Sequence, residues 1–167
     1  AYGEPDTVWA AAHGDGVIRS VDGGRTWQDA SAGLVTFGGM ANLAIDPRDN
    51  ETLYGIIRPE YAGSYLRRGT AESSWVTMPT PQNNATIDTG MVIDGGSGAL
   101  YVTSQLAPAG LWRSSNPATP NVDDVQWEQL HDFGPNVQAS LLAWGWGPQG
   151  TALYANLWSL TPLAGGG

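Results

Sequence analysis

Cysteine and lysine are both missing from this sequence. Without cysteine there can be no disulfide, no zinc–thiolate centre and no thiol nucleophile. Without lysine, the positive side of the charge balance rests on seven arginines, set against sixteen acidic residues for a net charge of −9. Seven scattered arginines do not make the basic face that neutralises phosphates, so nucleic acid is excluded as a partner and anionic membrane surfaces are disfavoured. Charged residues of both signs make up only 14% of the chain, which argues against coiled coils and long solvent-laced helices. No apolar run approaches the ~20 residues of a membrane-spanning helix. The two histidines, His13 and His131, have no clustered histidine partner, and no Gly-x-Ser-x-Gly elbow or phosphate-cradling glycine loop occurs. No metal and no cofactor is therefore expected.

The chain is rich in turn formers and tryptophan. Glycine supplies 23 residues and proline 11, about a fifth of the 167, while eight residues are tryptophan and 41% are hydrophobic. Large aromatics bury enough surface to offset chain entropy, so the composition reads as a folded all-β domain of many short strands and turns.

The sequence also repeats itself. An apolar–aromatic pair opens a short strand at Val8-Trp9, Leu53-Tyr54, Leu100-Tyr101 and Leu153-Tyr154, at spacings of 45, 47 and 53 residues. An apolar residue, an arginine and a turn recur at Ile18-Arg19-Ser20, Leu66-Arg67-Arg68 and Trp112-Arg113-Ser114, each followed by a tryptophan at Trp27, Trp75 or Trp127. A third pattern, Leu43-Ala44-Ile45-Asp46, Met91-Val92-Ile93-Asp94 and Leu141-Leu142-Ala143-Trp144, lies before three of the pairs. Turn-rich segments separate the two: Asp46 to Asn50, Asp94 to Gly98, and Gly145 to Gly150. Each unit reads as four antiparallel strands in about 47 residues, the size of a β-propeller blade. The approximate units are residues 1–36, 37–84, 85–135 and 136–167, all within a single propeller segment. The first unit opens at its second strand and the last holds its first two. The expected division is three, four, four and two strands, about three and a quarter blades. Closed propellers typically have 4–8 blades, so a partial propeller or one completed by assembly is expected.

The segment Ser20-Val-Asp22-Gly-Gly24-Arg-Thr-Trp27 closely resembles the Asp-box, or bacterial neuraminidase repeat. The chain thereby resembles the Asp-box β-propeller superfamily, which includes sialidases, xyloglucanases, sortilin-type ectodomains and photosystem II assembly factors. The box explains itself physically: a short carboxylate at Asp22 accepts from turn N–H groups, Gly23 and Gly24 permit positive φ, and Trp27 packs beneath the turn. Ser20, Asp22, Gly24 and Trp27 are accordingly read as scaffold. Two later copies depart from the pattern. Arg68 and Thr70 stand where Ser20 and Asp22 stand, and Ser114 and Asn116 are followed by six additional residues before Trp127.

For glycoside hydrolysis, two carboxylates facing one another at ~5–10 Å are needed. Asp15 and Glu60 fall in equivalent loops of adjacent units and are the weak candidates, beside Asp88, Asp123 and Asp124. Both are read as solvated loop acids, and no catalytic residue is assigned. Arg58-Pro-Glu60-Tyr61 contains residue types a sialidase uses but lacks that family's Phe-Arg-Ile-Pro motif. Asp46, Asp49 and Asn50 are read as a turn in preference to a calcium site. Trp9, Trp27, Trp75 and Trp127 are expected between blades. Trp144, Trp146 and Trp158 cluster in the last unit, the first two on one strand face. They form either a ligand-binding platform or packing against a further blade. The resemblance implies an extracellular, cell-surface or periplasmic, non-catalytic module that recognises a protein or an extracellular glycan, or that assembles with itself or with further blades. The alternative is a fragment of a glycoside hydrolase acting on extracellular polysaccharide.

Overall fold

The computed structural model describes residues 6–12, 16–34, 38–59, 65–70, 73–81, 87–104, 109–134, 137–147 and 150–159. Their regular structure is almost wholly β. The first sheet holds β1 (Val8–Ala12), β2 (Gly16–Ser20) and β3 (Gln28–Asp29). The second runs in order through β4 (Gly38–Ile45), β5 (Leu53–Pro59), β6 (Tyr65–Gly69) and β7 (Val76–Thr77). The third holds β8 (Ile87–Ile93), β9 (Leu100–Ser104), β10 (Gly110–Ser114) and β11 (Glu128–Asp132), again in chain order. The fourth pairs β12 (Val137–Gly147) with β13 (Gly150–Ser159). All pairings are antiparallel, and each sheet is a simple meander. The expected three, four, four and two strands are therefore present as successive propeller-like blades. Among the described residues no strand pairing closes them into a ring. No helix there is long and apolar enough to cross a membrane.

The sheets stack through their first strands: β4 packs against β1 and β8, and β12 packs against β8 and β9. Each of β4, β8 and β12 breaks register once, between Met40 and Asn42, Ile87 and Met91, and Ala139 and Leu141. A repeated irregularity of this kind bends the strand and increases its local twist.

Two apolar clusters fill the first two seams. Between the first and second sheets, Val17, Leu53 and Trp75 are buried, with Trp9, Leu34 and Met40 packed against them. Between the second and third, Tyr54, Ile56, Met78, Met91, Ile93, Leu100, Val102, Trp112 and Val125 are buried, with Trp127 at the margin. Alternation along β5 explains the division, since Leu53 and Tyr54 point to opposite faces and both are fully buried. At the third seam, the Thr103 hydroxyl donates to the Ala139 carbonyl at 3.1 Å.

Two sequence expectations change. The last hairpin is tighter than its glycines imply, because pairing runs through Trp146↔Thr151 to Gly147↔Gly150 and leaves only positions 148–149 between the strands. Gly145 and Trp146 thus belong to β12, the antiparallel ladder having overridden the turn preference of glycine. Trp27 is not in a seam: it is 41% exposed, against 3% for Trp75. Trp75 lies between two sheets, whereas among the described residues no sheet covers the ring of Trp27.

Candidate binding surface

The turn from β2 to β3 is closed by its own side chains. The Ser20 hydroxyl donates to Asp22 Oδ1 at 2.8 Å and accepts from the Gly24 N–H at 2.8 Å. Asp22 Oδ1 accepts from the N–H groups of Arg25 and Thr26, both at 2.9 Å, and Oδ2 from the Thr26 hydroxyl at 2.7 Å. Gly23 and Gly24 have φ of 70° and 91°, and the Trp27 indole donates to the Gly24 carbonyl at 3.1 Å. The bonds from the Thr26 backbone and side chain, followed by that from Ser20, lower the Asp22 carboxyl to about 2. Hydrogen bonding likewise lowers Asp29, through Ser31, and Asp94, through Ser97.

A depressed carboxyl contributes stability that is complete above its unfolded pKa and is lost as pH falls through the folded one. For Asp22 that window runs from about 4 down to about 2. Asp22→Asn is expected to be less stable than the parent at pH 6 in urea titrations, with the gap narrowing toward pH 2. A gap that stays constant or widens on acidification would show that the ionised carboxylate does not support the turn.

The turns aligned with this one bind differently. At the second, the Thr70 hydroxyl accepts from the Ser73 N–H at 3.1 Å and donates to Ser73 Oγ at 2.8 Å, a smaller version of the Asp22 arrangement. At the third, Asn116 Oδ1 accepts from the Gln126 N–H at 3.2 Å, and its amide donates to the Asp124 carbonyl at 3.0 Å. Asn116 thereby pins the base of an enlarged turn that includes a short 3-10 segment, Val122–Asp124, capped by the Asn121 side chain.

These two altered turns face one another. Arg68 Nη1 donates to the carbonyls of Pro117 at 2.8 Å and Thr119 at 2.6 Å, and Nη2 to that of Pro120 at 3.3 Å. Between them opens a cleft of about 440 Å3, lined by Thr70, Ser73 and Ser74 on one side and Pro120, Asn121 and Val122 on the other, with Arg68 between. Tyr54 stands opposite Arg68 in the β5–β6 register, so the two share a sheet face. The Tyr54 hydroxyl is buried without a partner among the described residues, and burial pushes its phenol up.

Of the aromatic candidates, Trp144 is half-buried in the third seam. Its indole donates to the Ile93 carbonyl at 3.0 Å, and its ring meets Tyr101 edge-on, with centroids 5.4 Å apart. The side chains of Trp146 and Trp158 lie outside the described residues, although the ladder places Trp146 two positions after Trp144 and Trp158 opposite Gln138. Asp15 and Glu60 also lie outside them. Asp123 and Asp124 sit on the exposed enlarged turn. His131 is exposed on β11, with its ring 5.4 Å from that of Phe133.

The Asp46–Asn50 turn uses its oxygens internally. Asp46 is ion-paired with Arg48 at 2.6 Å, while Asp49 accepts from the Glu51 and Thr52 N–H groups and the Thr52 hydroxyl. The cleft is not legible in the sequence, because its walls come from turns about 50 residues apart. Its signal lay in the two departures from the repeat, Arg68 and the six added residues, which looked like separate losses. No protein-family model matches the chain, and no curated protein matches it.

Proposed function

We infer that this chain is a non-catalytic recognition module of the Asp-box propeller type, placed outside the cytoplasm, with the cleft between the second and third sheets as its binding site. The observation that carries the reading is the meeting of both altered turns at one recess. The Ser20–Trp27 turn is saturated by internal hydrogen bonds, and Trp75, Trp127 and Trp144 each donate to a neighbouring sheet. Regular repeats supply a rigid frame, and departures from regularity are where binding groups are commonly carried. The volume lies within the roughly 300–1,000 Å3 of small-ligand sites. Support for the Asp-box assignment is the Ser20–Asp22–Gly24–Trp27 hydrogen-bond set, and the extracytoplasmic placement follows from that resemblance.

Ala118→Trp, which fills the cleft from its lining, tests the site. Soluble extracellular glycans and peptides would be titrated against the 15N-labelled chain. Shifts centred on Thr70, Ser73 and Asn121 that vanish in the variant, with every ligand recovered intact, are the expected outcome. Shifts unaffected by Ala118→Trp, or cleavage of a glycan, would overturn it.

A further inference from the structure

We propose that the cleft takes a saccharide bearing a carboxylate, gripped by the side-on edge of the Arg68 guanidinium. The proposal rests on the cleft's being the recognition site and adds the class of its ligand. A guanidinium has five N–H donors. Three carbonyls occupy both donors of Nη1 and one of Nη2. The two without a partner among the described residues are Nε–H and the second Nη2–H. In a guanidinium, Nε–H and an Nη2–H lie along one edge of the plane, at the spacing a carboxylate spans with two parallel bonds. The carbonyls fix the guanidinium in place, so little side-chain entropy remains to be lost when that edge is used.

Charge points the same way. On a chain of net charge −9, the summed field disfavours an anion. This cleft has a guanidinium and, among its described lining residues, no carboxylate. The buried carboxylate of the same sheet, Asp46, is held by Arg48, and the Tyr54 phenol beside Arg68 is neutral. Carbonyl dipoles position Arg68 without cancelling its charge. The rest of the lining suits a sugar: Ser74 and Asn121 carry hydroxyl and amide groups, while Val76 and Val122 offer apolar surface for C–H faces.

The experiment is calorimetric titration of the intact chain with an oligogalacturonide and with the same oligomer after carboxyl reduction. The acidic oligomer is expected to bind at least about tenfold more tightly. Arg68→Lys, which loses the planar fork, should remove that preference. Because Arg68 also braces the enlarged turn, Asn121→Asp provides a second route: it keeps an acceptor for the Asp123 N–H while adding negative charge to the cleft. It should abolish acidic binding with the thermal midpoint unchanged. Equal affinity for the acidic and reduced oligomers at the cleft would overturn the carboxylate proposal and leave the recognition reading standing. Binding of the acidic oligomer by Asn121→Asp as tightly as by the parent would overturn it as well. If neither oligomer binds while another ligand is displaced by Ala118→Trp, the ligand class is wrong and the site is right. If Ala118→Trp displaces nothing, both fall.

Discussion

Replacing Trp75 with alanine is expected to destabilise the chain by about 3–5 kcal/mol, the usual loss for deleting a buried tryptophan from a packed interior. The ring is 3% exposed and belongs to the cluster joining the first two sheets. It lies close on its own sheet, so that a Cβ at Gly69 would press into the ring. Its indole donates to the Ala30 carbonyl at 2.8 Å, and its backbone N–H donates to that of Ala32 at 2.7 Å. Trp75→Phe keeps most of the ring and loses the indole bond, for a smaller loss of about 1–2 kcal/mol. Trp27→Ala is the internal control: the residue has the same place in its repeat but is 41% exposed, and its removal should cost under about 1 kcal/mol. Chemical denaturation of the three variants checks the order. Equal losses at Trp75 and Trp27 would mean that seam burial does not govern stability.

The second large effect is expected at Arg48. Arg48→Met should destabilise by about 2 kcal/mol, because it leaves the Asp46 carboxylate, 1% exposed, without its cation, a loss moderated by water at the 41% exposed Arg48 position. Arg48 donates through Nε and Nη2 to both Asp46 oxygens, and its ordinary pKa is raised chiefly by that hydrogen bonding. Its Nη1 meanwhile reaches the Ser97 carbonyl of the third sheet at 2.8 Å. The same guanidinium fills the space a side chain at Gly98 would need, and Gly98 has φ of 72°. Gly98→Ala is thus doubly opposed, by backbone conformation and by collision with Arg48. The flexible methionine of Arg48→Met relieves the collision but not the backbone strain. The double variant should therefore lose less than the two single losses added together. Strict additivity in a double-mutant cycle would remove Arg48 from the seam.

The blades were legible in the sequence because a blade is a local object. Most strands are set by alternation over a few residues and each turn by a few glycines and aspartates, so β1 at Val8–Ala12 and the turns at Asp46 and Asp94 could be placed from their own neighbourhoods. The last hairpin shows the limit: Gly145 and Gly147 carry a turn signature, yet the ladder to β13 continues through them. Seam contacts were harder still. That Trp144 would face Tyr101, or that Arg68 would hold Pro117 and Thr119, depends on how two sheets meet, and nothing local encodes it. The same holds for Trp27, which has the place of Trp75 in its repeat but a different surrounding across from it.

Three of the tryptophans in the seams share one property on the receiving side. Trp75, Trp127 and Trp144 donate to the carbonyls of Ala30, Pro79 and Ile93, all of them main-chain oxygens. Every residue presents such an oxygen, whatever its side chain. The lock between sheets therefore places a demand on one partner alone, and the sequence of the receiving sheet is free to drift at that point without releasing it. A fold fastened in this one-sided way can let a turn exchange a serine for an arginine, or lengthen by six residues, while the seams beside it hold.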